Sequence, residues 1–165
     1  FLDELTQQTS LTARLAVLDD GYAVTISQVD PPGPFRMTAS LGQRELPHCS
    51  SLGKALLIQT TDQDLRAIAR RIGLPRRTAK TITTIKDFIA DLNQTRERGY
   101  AIDDEEDNIG VICIGAAIFD HQRKIVAAIS VTGMKQTQIG KNIDGIAKTV
   151  TSTARRLSAE LGYAE

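Results

Sequence analysis

The residues with the clearest chemical potential in this 165-residue chain form the string His48-Cys49-Ser50-Ser51-Leu52-Gly53-Lys54. Small polar residues follow Pro47 there, as is typical of the start of a helix. A helix start carries unpaired N–H groups and a partial positive charge, so it can hold an anion without a basic side chain. The string does not match a phosphate-binding loop of the Walker type, because Ala55 follows the Gly-Lys pair. A plain serine-capped helix and an anion-binding helix start both remain open.

A second group is the acidic run Asp103-Asp104-Glu105-Glu106-Asp107. It does not match a calcium-binding EF-hand loop, which needs alternating ligands around a central glycine and a distal glutamate. Runs of like charge are usually solvated, and we expect a solvated acidic loop here. Asp103, at the end of the segment Tyr100–Asp103, is the acid best placed to turn inward. A carboxylate there would accept a hydrogen bond from a ligand, or would need a shifted pKa to tolerate burial.

Three further polar side chains lie within apolar segments that are predicted to be strands. Cys113 belongs to Val111–Phe119, where a cysteine is more often an inert small hydrophobic residue than a nucleophile. Ser130 and Thr132 belong to the following apolar segment and, being two residues apart, share one face of a strand. Their hydroxyls either bond back to the sheet or line a pocket, and the sequence leaves these two alternatives even.

Catalytic and metal-binding arrangements have weak support. The chain has two histidines, His48 and His121, and the second lies in a predicted turn. A triad of Cys113, His48 and Asp103 can be written, but no local signature accompanies it. A zinc site from His48, Cys49 and the acids lacks a closely spaced ligand pair. We therefore expect no catalytic residues, no metal and no cofactor.

The overall composition narrows the class of protein. Twenty basic and 20 acidic side chains give a net charge of zero, so the chain is a poor nucleic-acid binder by itself. No apolar run approaches about 18 residues, so we expect no membrane span. Residues Phe1–Ser10 have neither the basic nor the apolar region of a secretion signal, so we expect none within the sequence shown. Two cysteines without an evident pairing favour a reducing cytoplasm. The chain does not begin with Met, and we expect that a segment precedes it.

The elements that must position these residues follow from apolar spacing. Helices are predicted at Phe1–Gln8, from Ser50 or Ser51 to Leu57, from Thr61 or Asp62 to Gly73, from Thr84 to Gly99, and over Asn142–Gly162. Strands are predicted at Leu11–Leu18, Tyr22–Val29, Phe35–Ala39, Tyr100–Asp103, Val111–Phe119 and Ile125–Thr132. Strands joined by short turns, with the helices grouped between them, indicate an antiparallel α+β domain.

Taken together, the strings resemble the effector-binding domain of IclR-type bacterial transcriptional regulators. The resemblance lies in the order and spacing of Leu41-Gly42, Leu46–Leu57, Arg96–Ala101, Asp103–Glu106 with Gly110, Cys113–Ala116, Phe119-Asp120 and Val126–Gly133. It implies a GAF/PAS-like fold, with an antiparallel sheet flanked by helices and a pocket on one side. It also implies an N-terminal winged helix-turn-helix domain outside residues 1–165, through which operator DNA would be bound, and assembly as a homodimer or homotetramer.

The resemblance further implies a small organic acid as the effector and assigns the residues that bind it. Ser50, Ser51, Leu52 and Gly53 match the loop that cradles a carboxylate, and Met37 matches an apolar side chain that shapes the pocket. The polar residues of the strands are Asp103, Cys113, Ser130 and Thr132. Because Asp103 would repel a second carboxylate, a hydroxy- or keto-monocarboxylate is favoured over a diacid.

One departure and two alternatives accompany this hypothesis. Met134-Lys135-Gln136 replaces the proline and later arginine that often follow Gly133 in such regulators, which affects closure of the pocket on that side. A GAF-like enzyme that uses Cys113 as a redox or acyl nucleophile is the alternative from another functional class. The second alternative is a dimerisation module with a vestigial pocket.

Overall fold

The computed structural model describes residues 1–33 and 41–164, whose strands form one antiparallel sheet. The strands are β1 Thr12–Asp19, β2 Tyr22–Val29, β3 Arg44–Glu45, β4 Ala101–Asp104, β5 Val111–Phe119 and β6 Ile125–Met134. Across the sheet they follow the order β3-β2-β1-β6-β5-β4. The α+β class with an antiparallel sheet is confirmed. The two-residue β3 was not predicted, and the predicted strand Phe35–Ala39 lies outside the described residues.

Six helices accompany the sheet. They are α1 Leu2–Thr9, α2 Ser51–Leu57, α3 Asp62–Ile72, α4 Ile85–Arg98, α5 Gln138–Lys141 and α6 Ile143–Glu160. The predicted starts are confirmed by capping side chains: Ser50 accepts from the Gly53 N–H, and Thr84 accepts from the Asp87 N–H. None of the helices in the described ranges is long and apolar enough to cross a membrane.

The β1–β2 connection is a tight hairpin, as its sequence predicts. Asp19 pairs with Tyr22, and the two residues between them, Asp20 and Gly21, have φ angles of 50° and 82°. Two successive positive φ values define the type I′ turn, which suits the right-handed twist of paired strands and favours Asp-Gly. The hairpin sets the pairing of β1 with β2 from Asp19 back to Ala16, and a register shift follows between Ala16 and Leu15, next to Arg14.

One face of the sheet packs on α1, α5 and α6 to form the main core. Its strand residues alternate in sequence, as side chains on one face of a pleated strand must. The buried members include Leu5, Ala13, Ile112, Ile114, Ala116, Ile129, Val131, Ile146 and Val150. This face is filled with apolar side chains, so the polar residues of the same strands lie on the other face.

The other face is covered by α2, which approaches the sheet closely at Gly115 and packs closely on Pro47 through its own Gly53. A Cβ on Gly115 of β5 would lie 2.9 Å from the Ser51 carbonyl oxygen, and one on Gly53 would lie 2.4 Å from Pro47 Cα. Any side chain at these positions would push α2 away. Outside α2, helices α3 and α4 add a third layer through a cluster of Leu57, Leu65, Phe88 and Leu92. The start of α2 is therefore held at a fixed depth over the sheet.

Candidate functional site

A cavity of about 110 Å³ opens on the α2 face of the sheet. It lies beside the start of α2 and beside β3, over one end of the central strands. Its lining is mostly polar and comprises Arg14, Gln43, Glu45, Ser50, Ser51, Asp103, Asp107, Asn108, Val111, Cys113 and Thr132. This polar cavity, which lies within an otherwise apolar packing layer, is the candidate site.

Strand register brings the polar side chains of the cavity together. Asp103 of β4 is paired with Cys113 of β5, Cys113 with Thr132 of β6, and Thr132 with Thr12 of β1. Directly paired residues on adjacent strands point to the same face of the sheet. The Thr132 hydroxyl donates to Cys113 Sγ at 3.3 Å. Residues separated by up to 120 positions in the chain thus form one polar row across four strands.

A second row lies under α2. Register pairs Ala101 with Gly115, Gly115 with Ser130, and Ser130 with Arg14. The Ser130 hydroxyl is fully buried and has no hydrogen-bond partner among the described residues. Ser130 therefore lies beside the cavity lining and is not part of it.

Arg14 and Glu45 are the charged pair of the cavity. Arg14 Nη1 donates to Glu45 Oε1 at 2.7 Å, and Arg14 Nη2 donates to Thr132 Oγ1 at 2.7 Å. The two side chains are only 11% and 16% exposed. Two hydroxyls also donate to the Glu45 carboxylate, from Ser50 at 2.8 Å and from Thr25 at 3.3 Å. A buried ion pair with added hydrogen bonds is the arrangement in which charges are tolerated away from water.

Sequence reasoning missed both members of this pair. The available signal was Arg14 itself, a charged residue inside an apolar alternating strand, since an inward cation needs a partner or a ligand. Glu45 gave no signal, because it stands in a segment that was not predicted to be a strand. Their meeting depends on the antiparallel order β3-β2-β1.

Asp103 turns inward and is 4% exposed. Its Oδ1 accepts from the backbone N–H groups of Glu106 at 2.8 Å and Asp107 at 3.4 Å. Burial raises the pKa of Asp103 to about 7, against the lowering effect of these N–H donors. Asp103 therefore changes its charge within the physiological pH range.

The acidic run is not the solvated loop expected from its composition. Glu106 Oε1 accepts from Lys54 Nζ at 2.6 Å, and Asp107 Oδ1 accepts from Arg77 Nε at 3.0 Å. Glu105 accepts from Lys80 and from Lys135, and these ammonium groups lower the pKa of its carboxyl to about 2. Basic residues from three distant segments hold the acidic run in place. They thereby fix the position of Asp103, the first residue of the run.

Lys135 belongs to the departure noted after Gly133. Its Nζ contacts Asp104 Oδ1 at 2.6 Å and Glu105 Oε2 at 3.0 Å. The end of β6 is thereby tied to the acidic run beside the cavity. The Met134-Lys135-Gln136 segment is thus linked by ion pairs to the acidic run, of which Asp103 and Asp107 line the cavity.

The cysteines and His48 do not form a nucleophilic site. Burial raises the pKa of both Cys113 and Cys49, so both thiols stay protonated. His48 Nε2 lies 3.1 Å from the Pro75 carbonyl oxygen, and its ring packs edge-on against Phe88. Burial lowers the pKa of His48, which favours the neutral ring. In residues 1–33 and 41–164, no cluster of three His, Cys, Asp or Glu side chains could hold a metal ion.

The predicted site residues separate into three groups. Ser50, Ser51, Asp103, Cys113 and Thr132 line the cavity. Leu52 and Gly53 belong to the buried interior of α2, and the Gly53 N–H donates to Ser50 Oγ at 3.2 Å rather than facing the cavity. Ser130 is buried beside the cavity, and Met37 lies outside the described residues.

Comparisons with known proteins show which proteins this chain is similar to. A family model described as "Bacterial transcriptional regulator IclR C-terminal" matches residues 1–159. The transcriptional repressor AllR of Escherichia coli K12 is 35% identical over 162 residues, which cover 98% of this chain. Those residues are 60% of AllR, so the chain spans somewhat over half the length of such relatives.

Two solved structures are similar throughout the chain. Thermotoga maritima IclR aligns with a TM-score of 0.90 and 29% identity, covering 98% of this chain and 66% of that one. A double mutant of the PobR inducer-binding domain from Acinetobacter, in complex with 3-hydroxybenzoic acid, aligns with a TM-score of 0.86 and 30% identity. That alignment covers 95% of this chain and 93% of the PobR domain.

Proposed function

This chain belongs to the IclR family of bacterial transcriptional regulators, and from that premise we propose that it senses a small monocarboxylic acid. The acid would bind in the cavity beside the start of α2. The cavity has room for several water molecules, and therefore for a small organic acid. The observation that carries the proposal is the polar row of Asp103, Cys113 and Thr132, which faces an open space instead of packed side chains.

The lining supplies the groups that such an acid needs. Arg14 and the hydroxyls of Ser50, Ser51 and Thr132 can donate to a carboxylate. Asp103 can accept from a hydroxyl group of the acid, and it disfavours a second carboxylate close by. These features support a hydroxy- or keto-monocarboxylate over a diacid. The hydroxy acid bound by the PobR domain supports the same chemical class.

Occupancy of the cavity would be reported to a DNA-binding domain. The relatives are HTH-type repressors that are longer than this chain, which supports a winged helix-turn-helix domain preceding α1. The path is short, because α1 ends at Thr9 and β1, which carries Arg14, begins at Thr12. A shift between arrangements of a homodimer or homotetramer worth about 1–3 kcal/mol would change operator affinity 5- to 150-fold. Residues 1–165 would then act without catalysis, in the cytoplasm.

Calorimetric titration tests the proposal directly. Lactate and pyruvate, as the simplest stable hydroxy and keto acids of this size, are titrated into the wild-type domain and into Asp103→Ala and Thr132→Ala variants. We expect saturable binding by the wild type and a loss of about fivefold or more in each variant, because each substitution removes a polar partner. Asp62→Ala, an exposed carboxylate on α3, is the matched control and should bind as the wild type does. Unchanged affinity in both cavity variants would remove the site assignment.

A further inference from the structure

Glu45 already occupies the donors that a bound carboxylate would need. One of its oxygens accepts from Arg14 Nη1 at 2.7 Å and from Thr25 Oγ1 at 3.3 Å, and the other accepts from Ser50 Oγ at 2.8 Å. Ser50 is one of the four residues, Ser50 to Gly53, that the family resemblance matches to the loop cradling the carboxylate of the effector. The carboxylate in the binding position is therefore supplied by the chain itself.

We propose that Glu45 is a built-in competitor of the effector, which a small acid must displace from Arg14 and Ser50 in order to bind. The inference rests on the proposed function, whose cavity it shares. It assigns Arg14 as the residue that selects for a carboxylate, and it assigns the Glu45 side chain as the group that moves.

The hydrogen bonding of Arg14 favours exchange of the carboxylate. Glu45 uses only Nη1, while Nε is buried without a hydrogen-bond partner among the described residues. An unsatisfied buried donor is costly, and more so on a charged group. A free acid is not tethered to the backbone, so its two oxygens can engage two guanidinium nitrogens in the bidentate geometry that strengthens such pairs. The effector can therefore satisfy Arg14 better than Glu45 does.

The charges of the cavity require Glu45 to leave. Arg14 is the cation among the described lining residues, and Glu45 balances its charge at a place where both side chains are mostly buried. A second carboxylate beside Arg14 would add a negative charge close to Glu45 and to Asp103, in an environment that screens charges poorly. Binding of the acid and retention of Glu45 are thus mutually unfavourable.

Release of the Glu45 side chain from Arg14 and Ser50 can affect the rest of the domain because of where Glu45 lies in the fold. Among the described strands, β3 is a two-residue edge strand that pairs with β2, through Ala23–Glu45 and Val24–Arg44. Only Leu46 separates Glu45 from Pro47, against which Gly53 of α2 packs too closely for any side chain. A change in β3 would therefore be felt at α2, which is a physical route from the cavity to the helical layer.

The test is calorimetric titration of lactate and pyruvate into the wild type and the Glu45→Gln variant. Glutamine keeps the size of the side chain but removes the charge that competes for Arg14. We expect Glu45→Gln to bind the acids about tenfold to hundredfold more tightly, which corresponds to losing one charge-assisted hydrogen bond from the competitor. Glu97→Gln, the same change at an exposed position of α4, should leave the affinity unchanged. Equal or weaker binding by Glu45→Gln would overturn the proposal.

Two further experiments separate the effect of the Glu45 charge from the effects of side-chain size and of misfolding. Lactamide, the neutral analogue of lactate, should gain nothing from Glu45→Gln, and an equal gain for both ligands would overturn competition by charge. The Arg14→Met/Glu45→Gln double variant leaves no buried charge unpaired, so it should fold and should lose acid binding. Retained acid binding by that variant would refute the role of Arg14.

The titrations also distinguish this inference from the proposed function. If the wild type binds the acids and Glu45→Gln gives no gain, the competitor is refuted and the sensor stands. If neither the wild type nor Glu45→Gln binds either acid, both are refuted. Hydrogen exchange adds a second readout, since acid binding should speed exchange of the β3 amides, and slower exchange there would contradict the release of Glu45.

Discussion

Two buried cations, Lys54 and Arg14, are each paired with carboxylates on the α2 face of the sheet, yet their surroundings differ. Lys54 Nζ is 0% exposed and contacts Glu106 at 2.6 Å, the Ile102 carbonyl at 2.9 Å and Asp91 at 3.1 Å. Arg14 is partly exposed, adjoins a cavity and keeps Nε unpaired within the described part of the chain. Lys54 is enclosed by protein groups, whereas Arg14 adjoins a space for a ligand and keeps one donor unpaired within the described residues. Similar ion pairs thus have different surroundings, and only the Arg14 pair lies where the proposed acid would bind.

The largest expected effect is a loss of stability, which tests the contrast between Lys54 and Arg14. Lys54→Met should lower the free energy of unfolding by about 3–5 kcal/mol, because it leaves the Glu106 and Asp91 carboxylates buried without a cation. Arg14→Met should cost less, because Ser50 and Thr25 still donate to Glu45. Urea denaturation followed by circular dichroism measures both. Adding Glu106→Gln to Lys54→Met should recover part of the loss, and equal losses at Lys54 and Arg14 would contradict the distinction.

The next effect is on the pH dependence of binding. Burial places the pKa of Asp103 at about 7, and an anion in the cavity favours its protonated form. Lactate stays ionised throughout this range, so above pH 7 its binding must also take up a proton at Asp103. The affinity for lactate should therefore fall about tenfold between pH 6 and pH 8.

Asp103→Asn provides the control for this pH dependence, because its side chain does not titrate. Its affinity for lactate should be nearly constant over the same range, and a profile that still falls tenfold would place the titrating group elsewhere. Ionisation of Asp103 also changes the stability of the folded domain, and the direction of this change follows from its pKa. The folded-state pKa lies above the ordinary value of 3.8, so ionisation of Asp103 costs stability as the pH rises from about 4 to about 7.

The smallest effect compares two helix caps, one in the cavity and one in the outer layer. Ser50 caps α2 and also donates to Glu45, whereas Thr84 caps α4, away from the cavity. Thr84→Ala and Ser50→Ala should each lower the unfolding free energy by about 1 kcal/mol. Only Ser50→Ala should also change the affinity for lactate. An altered affinity in Thr84→Ala would show that the outer layer is coupled to the cavity more strongly than the contacts suggest.

Local features of this fold could be predicted because their causes are local. The caps at Ser50 and Thr84 and the Asp20-Gly21 hairpin depend on residues within a few positions of one another. The alternation that places Ser130 and Thr132 on one face also follows from the period of a strand. The last helix, predicted over 142–162, is confirmed as α6 Ile143–Glu160, and the Asn142 side chain caps its start.

Predictions about charge were less successful, because the partners of a charge are set by tertiary contacts. The acidic run was expected to be solvated, yet Glu106 reaches a lysine 52 residues away in the chain. Arg14 and Glu45 are 31 residues apart and meet only when β3 joins the sheet edge. No pattern within a short window encodes these distances.

The sequence by itself predicted the described helices and strands other than β3 and α5, the α+β class and, by resemblance, the family, together with five residues that line the cavity. Tertiary structure decided which of these groups meet: strand register aligned Asp103, Cys113 and Thr132, and the close packing of α2 on Gly115 left Ser130 buried beside the cavity. The physical reason is that helix and strand formation depends on neighbouring residues. The partner of a buried charge or hydroxyl depends on the order of strands and the depth of packing, which exist only in the folded chain.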